Sequence, residues 1–211
     1  MNPDPYPVRF SVDYPDRPLN RLTTFFRLFV AIPILIVLSS VSGGSWESTN
    51  ATGRQTVTVT AAGGILFIGT LLMIVFRQKY PRWWFDWNRE LMRFSTRVGV
   101  FMGLMDDRYP STDEQQSVHL DFEYPDVPRD LNRWLPLVKW LLAIPHYIVL
   151  VFVDLAAFAV VIVAWFAILF TGRYPRNWFH FVEGAMRWNV RVAGYAFLLV
   201  TDRYPPFSMS Q

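Results

Sequence analysis

Residues 134–170 read "WLPLVKWLLAIPHYIVLVFVDLAAFAVVIVAWFAILF". Where this run is cut decides the fold. It is apolar except for Lys139, His146 and Asp154. As a single helix it would be roughly 55 Å long at the usual rise per residue, against a hydrocarbon core of roughly 30 Å. A cut near Asp154 resolves the excess. Residues 135–153 then run outward, residues 155–170 return, and Asp154 falls in the outer turn in contact with water. Both pieces are short for a crossing, so the turn between them has to be tight.

Two further apolar runs precede this one. Residues 25–41 carry only Arg27, and residues 57–76 carry no charge. Between them "SGGSWESTNATGRQT" is polar and glycine-containing, which predicts a loop. With 52% hydrophobic and 18% charged residues, four such runs in 211 residues predict a membrane protein with four spans. The competing reading, buried helices of a soluble protein, asks too short a chain to bury too many long runs. The opening "MNPDPYPVRFSVDYPDRPLNR" is polar and proline-rich, so no cleaved leader is expected there. Lys and Arg near the span ends set orientation. Arg9, Arg17 and Arg21 precede the first run, and Arg77 to Arg108 fill the central connector. Arg173 to Arg203 follow the last run, and only Arg54 lies between the first two. Both termini and the connector are therefore expected in the cytoplasm, and the sequon Asn50-Ala51-Thr52 outside.

The chain is written twice. "VDYPDRPLNRLTTFFRLFVAIP" from Val12 aligns with "FEYPDVPRDLNRWLPLVKWLLAIP" from Phe122, allowing two extra residues at Arg129-Asp130. "KYPRWWFD" from Lys79 aligns with "RYPRNWFH" from Arg173, and "DDRYP" from Asp106 with "TDRYP" from Thr201. The division expected is residues 1–110 and 111–211, each holding a strand, two spans and a surface helix. Both units start on the same side, so they are parallel repeats about an axis along the membrane normal. Val8, Phe10 and Val12 alternate with polar residues, as do Val118, Leu120 and Phe122. Period-two alternation predicts strands, and each strand's natural mate is the other. The expected fold class is an all-α membrane protein. It has four transmembrane helices as two parallel-repeat hairpins, each followed by a cytoplasmic interfacial amphipathic helix, and a small two-stranded cytoplasmic β-ribbon.

After each Tyr-Pro-Arg corner, apolar residues recur in alternating steps of three and four. They are Trp84, Trp87, Leu91, Phe94, Val98, Phe101 and Met105, then Trp178, Phe181, Ala185, Trp188, Val192, Tyr195 and Leu199. This is one face of a helix. Arg89, Arg93 and Arg97 form a polar stripe in the first, and Arg187 and Arg191 in the second. Proline ends the preceding helix, aromatic rings favour the membrane boundary, and arginine there meets anionic phosphate. The lipid-headgroup residues expected are Arg82, Trp84, Arg93, Arg97, Arg176, Trp178, Arg187 and Arg191. The alternative is that the stripes pack on the protein's own ribbon or spans. A coiled-coil seam is disfavoured by its short length and its tryptophans.

Chemistry is sparse. The absence of cysteine excludes disulfides and thiolates. His119, His146 and His180 lack metal-ligand spacing, and no nucleophile elbow, phosphate loop or dinucleotide fingerprint occurs. No metal, no cofactor and no enzyme activity are expected. Asp106-Asp107 reads as the end of the first surface helix. Lys139 snorkels toward the cytoplasmic edge. His146 and Asp154 are the candidate intramembrane polar site, with Pro33 and Pro145 as kinks. Arginines spaced along helices at membrane edges, without a recognition module, exclude nucleic acid.

Tyr14-Pro15, Leu19-Asn20-Arg21, Ala143-Ile144-Pro145, "WFAILFTGRYPRNWFHF" from Trp165 and "LLVTDRYPPF" from Leu198 resemble a bacterial family of integral membrane proteins known only as domain of unknown function family 4389. The resemblance covers both copies and is closer in the second. The first departs at Lys79, where the corner arginine would stand, and in its long outer loop. The family carries no assigned reaction. The function expected is a non-enzymatic accessory or scaffold subunit of a larger complex in the bacterial cytoplasmic membrane, ordering lipid at the inner leaflet. The alternative is a small transporter or lipid-handling protein, with a cavity between the hairpins and a polar pocket near Pro33, Pro145 and His146.

Overall fold

The computed structural model describes residues 6–42, 44–49, 55–60, 62–112 and 114–210. The sequon at 50–52 and Arg54 lie outside them. Among the described residues the chain is mostly helical, with eight helices and two separate two-stranded sheets.

The predicted ribbon forms. β1 (Val8–Val12) pairs antiparallel with a second strand, Val118–Phe122, in register Val8↔Phe122, Phe10↔Leu120 and Val12↔Val118. The residues aligned by sequence are Val8 with Val118 and Val12 with Phe122. Each strand's start therefore faces the other's end, as in two equal strands turned about a two-fold axis at Phe10↔Leu120. All six apolar residues are buried, while Arg9 and His119 are exposed.

A two-stranded ribbon is marginal alone. Two long helices make it stable, Arg82–Met102 and Arg176–Ala196. In chain order the helices are α1 (Arg21–Phe25), α2 (Arg27–Ser42), α3 (Ala62–Arg77), α4 (Arg82–Met102), α5 (Val127–Asp130), α6 (Pro136–Leu142), α7 (Ile144–Thr171) and α8 (Arg176–Ala196). The segment expected as a loop between the first two apolar runs holds two strands among its described residues. β2 (Gly44–Thr49) and β3 (Gln55–Thr60) form an antiparallel hairpin from Gly44↔Thr60 to Thr49↔Gln55. This makes Val118–Phe122 strand β4, and α3 starts five residues later than the apolar run at Val57. α4 packs on β4 and α8 on β1. At Gly194 of α8 an added Cβ would lie 2.9 Å from Val8 Cγ2, so only glycine lets helix and strand approach this closely. Proline opens both helices, with Pro81 and Pro175 at the N-cap. Their fixed φ and missing N–H end one helix and start the next.

The cut at Asp154 is corrected. α7 is one unbroken helix of 28 residues through that position, so residues 135–170 form no hairpin and the second of the two expected hairpins is absent. Asp154 needs no turn, because it is exposed on the surface of the unbroken helix, where Asn189 Nδ2 of α8 donates to its Oδ1 at 2.7 Å. The break falls instead at Ala143, where α6 ends. Pro145 then sits in the first turn of α7, where its missing N–H leaves no bond unmade.

α7 is about 42 Å long at the usual rise, and it is the one described helix long and apolar enough to cross a membrane. It does not project from the body. At its start Tyr204 Oη donates to Leu142 O at 3.1 Å. At its end Leu19 N donates to Gly172 O at 2.8 Å and Trp165 Nε1 to Thr24 O at 3.0 Å. Between these points one stripe, His146, Leu150, Ala157, Ala164 and Ile168, is buried along the whole helix. The opposite face exposes Phe152, Leu155, Phe158, Ile162, Phe166 and Phe170. α2 uses the same plan, with Ala31 and Ile34 buried against Phe94, Val98 and Phe101 of α4. Leu28, Phe29, Ile32 and Ile36 stay exposed. Pro33 lies inside α2.

Candidate functional site

The tyrosine of each Tyr-Pro-Asp motif reaches into the other half. Tyr14 Oη donates to Tyr174 O at 2.5 Å, and Tyr124 Oη donates to Tyr80 O at 2.5 Å. The corner arginines cover the same rings. The guanidinium of Arg176 stands 5.0 Å from the Tyr14 centroid, and that of Arg82 stands 4.9 Å from Tyr124. Both arginines are exposed, and both are held by cation–π attraction. Trp84, half-buried, donates from Nε1 to Thr70 Oγ1 at 2.8 Å, and Trp178 packs half-buried against the core. These four expected headgroup residues occupy the corners.

The other four face the ribbon. Arg93 Nε donates to Leu120 O and Arg187 Nε to Phe10 O, each at 2.8 Å. Phe10 and Leu120 oppose each other on the two-fold axis, so these guanidiniums satisfy the outward carbonyls of both ribbon edges. Arg187 also donates to Met209 O at 2.7 Å and pairs with Glu183 at 2.5 Å. Arg97 Nη1 donates to Ser111 O at 2.7 Å, and Arg191 Nη1 to Ser208 O at 3.4 Å. Arg97, Arg187 and Arg191 are all buried, so the polar stripe of these helices turns inward onto the ribbon.

Together they border an open cleft of about 1050 Å³, completed by Tyr6, Gln116 and the tail at Ser208. Burial lowers the Arg191 guanidinium below its usual value, and repulsion from Arg187 adds to this. Burial likewise raises the Tyr6 hydroxyl, against the pull of Arg191. Guanidinium groups donate and never accept, so the cleft suits an anion with several acceptor oxygens. Among the described residues no three His, Asp or Glu side chains gather as a metal-binding group.

His146 and Asp154 share α7 but not a site. His146 is fully buried, stacked 3.9 Å from the Phe207 ring, and its Nδ1 accepts from Trp188 Nε1 at 3.1 Å. The polar pocket expected beside it is filled by aromatic rings. Lys139 does not snorkel. It is fully buried, donates to Thr201 O at 2.7 Å and pairs with Asp202 at 2.7 Å.

The acidic pair Asp106-Asp107 does more than end a helix. Arg27 donates to Asp106 O at 2.7 Å and to Asp107 Oδ1 at 2.8 Å, while Asn20 N donates to Asp107 Oδ2 at 2.5 Å. Asn132 N meets Asp202 Oδ2 at 2.5 Å in the same way. Burial pushes the Asp106 carboxyl up. The Ser117 hydroxyl and the Arg108 amide and guanidinium outweigh that and hold it below the usual carboxylate range. These buried clasps were missed by sequence reasoning. The signal for them was the alignment of the two halves, which sets Arg27 on Lys139 and Asp107 on Asp202.

Comparison with curated proteins and with solved structures finds no match. Residues 134–209 match the family model described as Domain of unknown function (DUF4389), as one domain with no second copy detected.

Proposed function

We propose that the protein is a non-enzymatic accessory or scaffold subunit in the bacterial cytoplasmic membrane, with its ribbon and both termini on the cytoplasmic side. The first half is a diverged copy of the unit matched in the second. The matched tyrosine straps, Arg93 with Arg187, and the Arg27 and Lys139 clasps support that kinship. One observation carries the membrane reading: a 28-residue apolar helix exposes one face while both its ends bond back to polar segments of the same body. An exposed apolar face of this extent needs lipid or a partner against it. A helix tethered at both ends lies along the leaflet more naturally than across it. α7 therefore rests in the inner leaflet, its exposed phenylalanines among the acyl chains, and the exposed corner residues Arg82 and Arg176 meet the headgroups.

The test is membrane extraction followed by accessibility labelling. The full chain should resist carbonate extraction. Single cysteines placed at Asn132 and Arg173, beyond the two ends of α7, should both label from the cytoplasmic side. Labelling from opposite sides would overturn the in-plane arrangement, and release by carbonate would overturn membrane embedding. Recovery from native membranes as a lone monodisperse monomer would overturn the accessory role.

A further inference from the structure

We infer that the ribbon cleft is a phosphate-binding site whose ligands are Arg97 and Arg191. The two occupy matching positions on α4 and α8, and both border the same cleft. Arg97 is 8% exposed and Arg191 5%. Each gives one Nη1 bond to a carbonyl, and neither Nε finds an acceptor. Their helix neighbours differ in this respect, since Arg93 pairs with Glu90 and Arg187 with Glu183. Among the described residues no carboxylate stands within ion-pair distance of Arg97 or Arg191.

A buried cation without a counter-charge is strongly unfavourable, and here the same cost is incurred twice at matching positions. A tetrahedral oxyanion removes it. Phosphate offers several acceptor oxygens and matches the planar guanidinium fork. Gln116 also lines the cleft, its Nε2 already donating to Tyr109 O at 2.8 Å with one N–H to spare. The acids nearest the cleft are spoken for, with Glu183 on Arg187 and Asp121 facing Arg93 at 3.6 Å. The shared chemistry is a phosphate monoanion or dianion, free or as the headgroup of an anionic lipid. Only the second source rests on the membrane reading above.

The experiment uses the full chain in neutral detergent at constant ionic strength. Thermal unfolding is followed while inorganic phosphate replaces chloride, and separately while phosphatidylglycerol micelles replace phosphatidylcholine micelles. Saturable stabilisation of the wild type, weakened at least tenfold in Arg97→Gln/Arg191→Gln, supports the site. Stabilisation by inorganic phosphate assigns a soluble ligand, and stabilisation only by phosphatidylglycerol assigns a lipid headgroup. The double variant loses two buried charges and should unfold no earlier than the wild type without ligand. As a readout free of variants, the effective ligand should shield Arg97 and Arg191 from dicarbonyl labelling in the wild type, as seen by peptide mass spectrometry. No saturation by either probe, or equal shifts in wild type and variant with no shielding, overturns the inference. Vesicle flotation of the same samples separates the two failures. A chain that floats but binds neither probe loses only the cleft, and one that binds phosphate but does not float loses only the membrane reading.

Discussion

In the first half, the apolar segment between Arg27 and Arg77 is interrupted by the β2–β3 hairpin. In the second, the segment from Lys139 to Thr171 runs through α6 and α7 with a single break at Ala143. Pro33 to Tyr80 spans 47 residues and Pro145 to Tyr174 spans 29, so 18 residues of the first half have no counterpart. The contacts at the ends of each segment match nonetheless. A buried cation near the start meets an acid from the far end of the same half, and the corner receives a tyrosine from the other half. The difference teaches that the fold is held by its anchors. The middle of an apolar segment tolerates interruption because loop-closure cost grows only slowly with length.

The largest effect expected lies in the clasps. Each cation meets one carbonyl and one carboxylate, Lys139 at Thr201 and Asp202 and Arg27 at Asp106 and Asp107, but only Arg27 has a second acid, Asp106, beside it. Asp202→Ala leaves a fully buried ammonium without its partner and should cost about 3–5 kcal/mol at neutral pH. Asp107→Ala should cost distinctly less, as Asp106 stays close. Chaotrope unfolding in micelles measures both, and equal losses would break the distinction between the halves.

A smaller effect separates the two helix ends. Gly172 closes α7 at φ +74°, the left-handed region that costs a side chain strain, and Gln78 closes α3 at φ +46°. Gly172→Ala should cost about 1 kcal/mol, and Gln78→Gly should gain about half of that, since relieved strain exceeds added chain entropy. A gain from Gly172→Ala would show that its loop relaxes freely.

The smallest effect is expected from removing residues 44–61. The first half then takes the length of the second, and α2 and α3 should merge into one helix. Unfolding should shift by less than about 1 kcal/mol, with helical content by circular dichroism retained. Collapse of the fold would mean that the hairpin is an anchor after all.

The ribbon and its partner strand were legible because Val8, Phe10 and Val12 and their three matches alternate without a fault. The corners were legible from their prolines. The cut at Asp154 failed for two physical reasons. A charge in an apolar run was taken to need a turn, but Asp154 is exposed on a continuous helix and bonded there by Asn189. The bilayer thickness was taken as a limit on helix length, and it limits only a helix that stands upright. The arginine stripes were legible as stripes. Periodicity says which residues share a face and is silent on what covers it. Arg93 and Arg187 turned inward because the edges of a two-stranded ribbon carry carbonyls that must be satisfied, while Arg97 and Arg191 reach carbonyls of the flanking segments at Ser111 and Ser208.

The tyrosine straps have a consequence for the shortest length of chain that can close on itself. Each fastens a corner that its own half cannot reach, and each strand finds its mate only across the seam. A polypeptide of half this length would keep one bare strand edge and one unfastened corner, and its remedy would be association with a second molecule of itself.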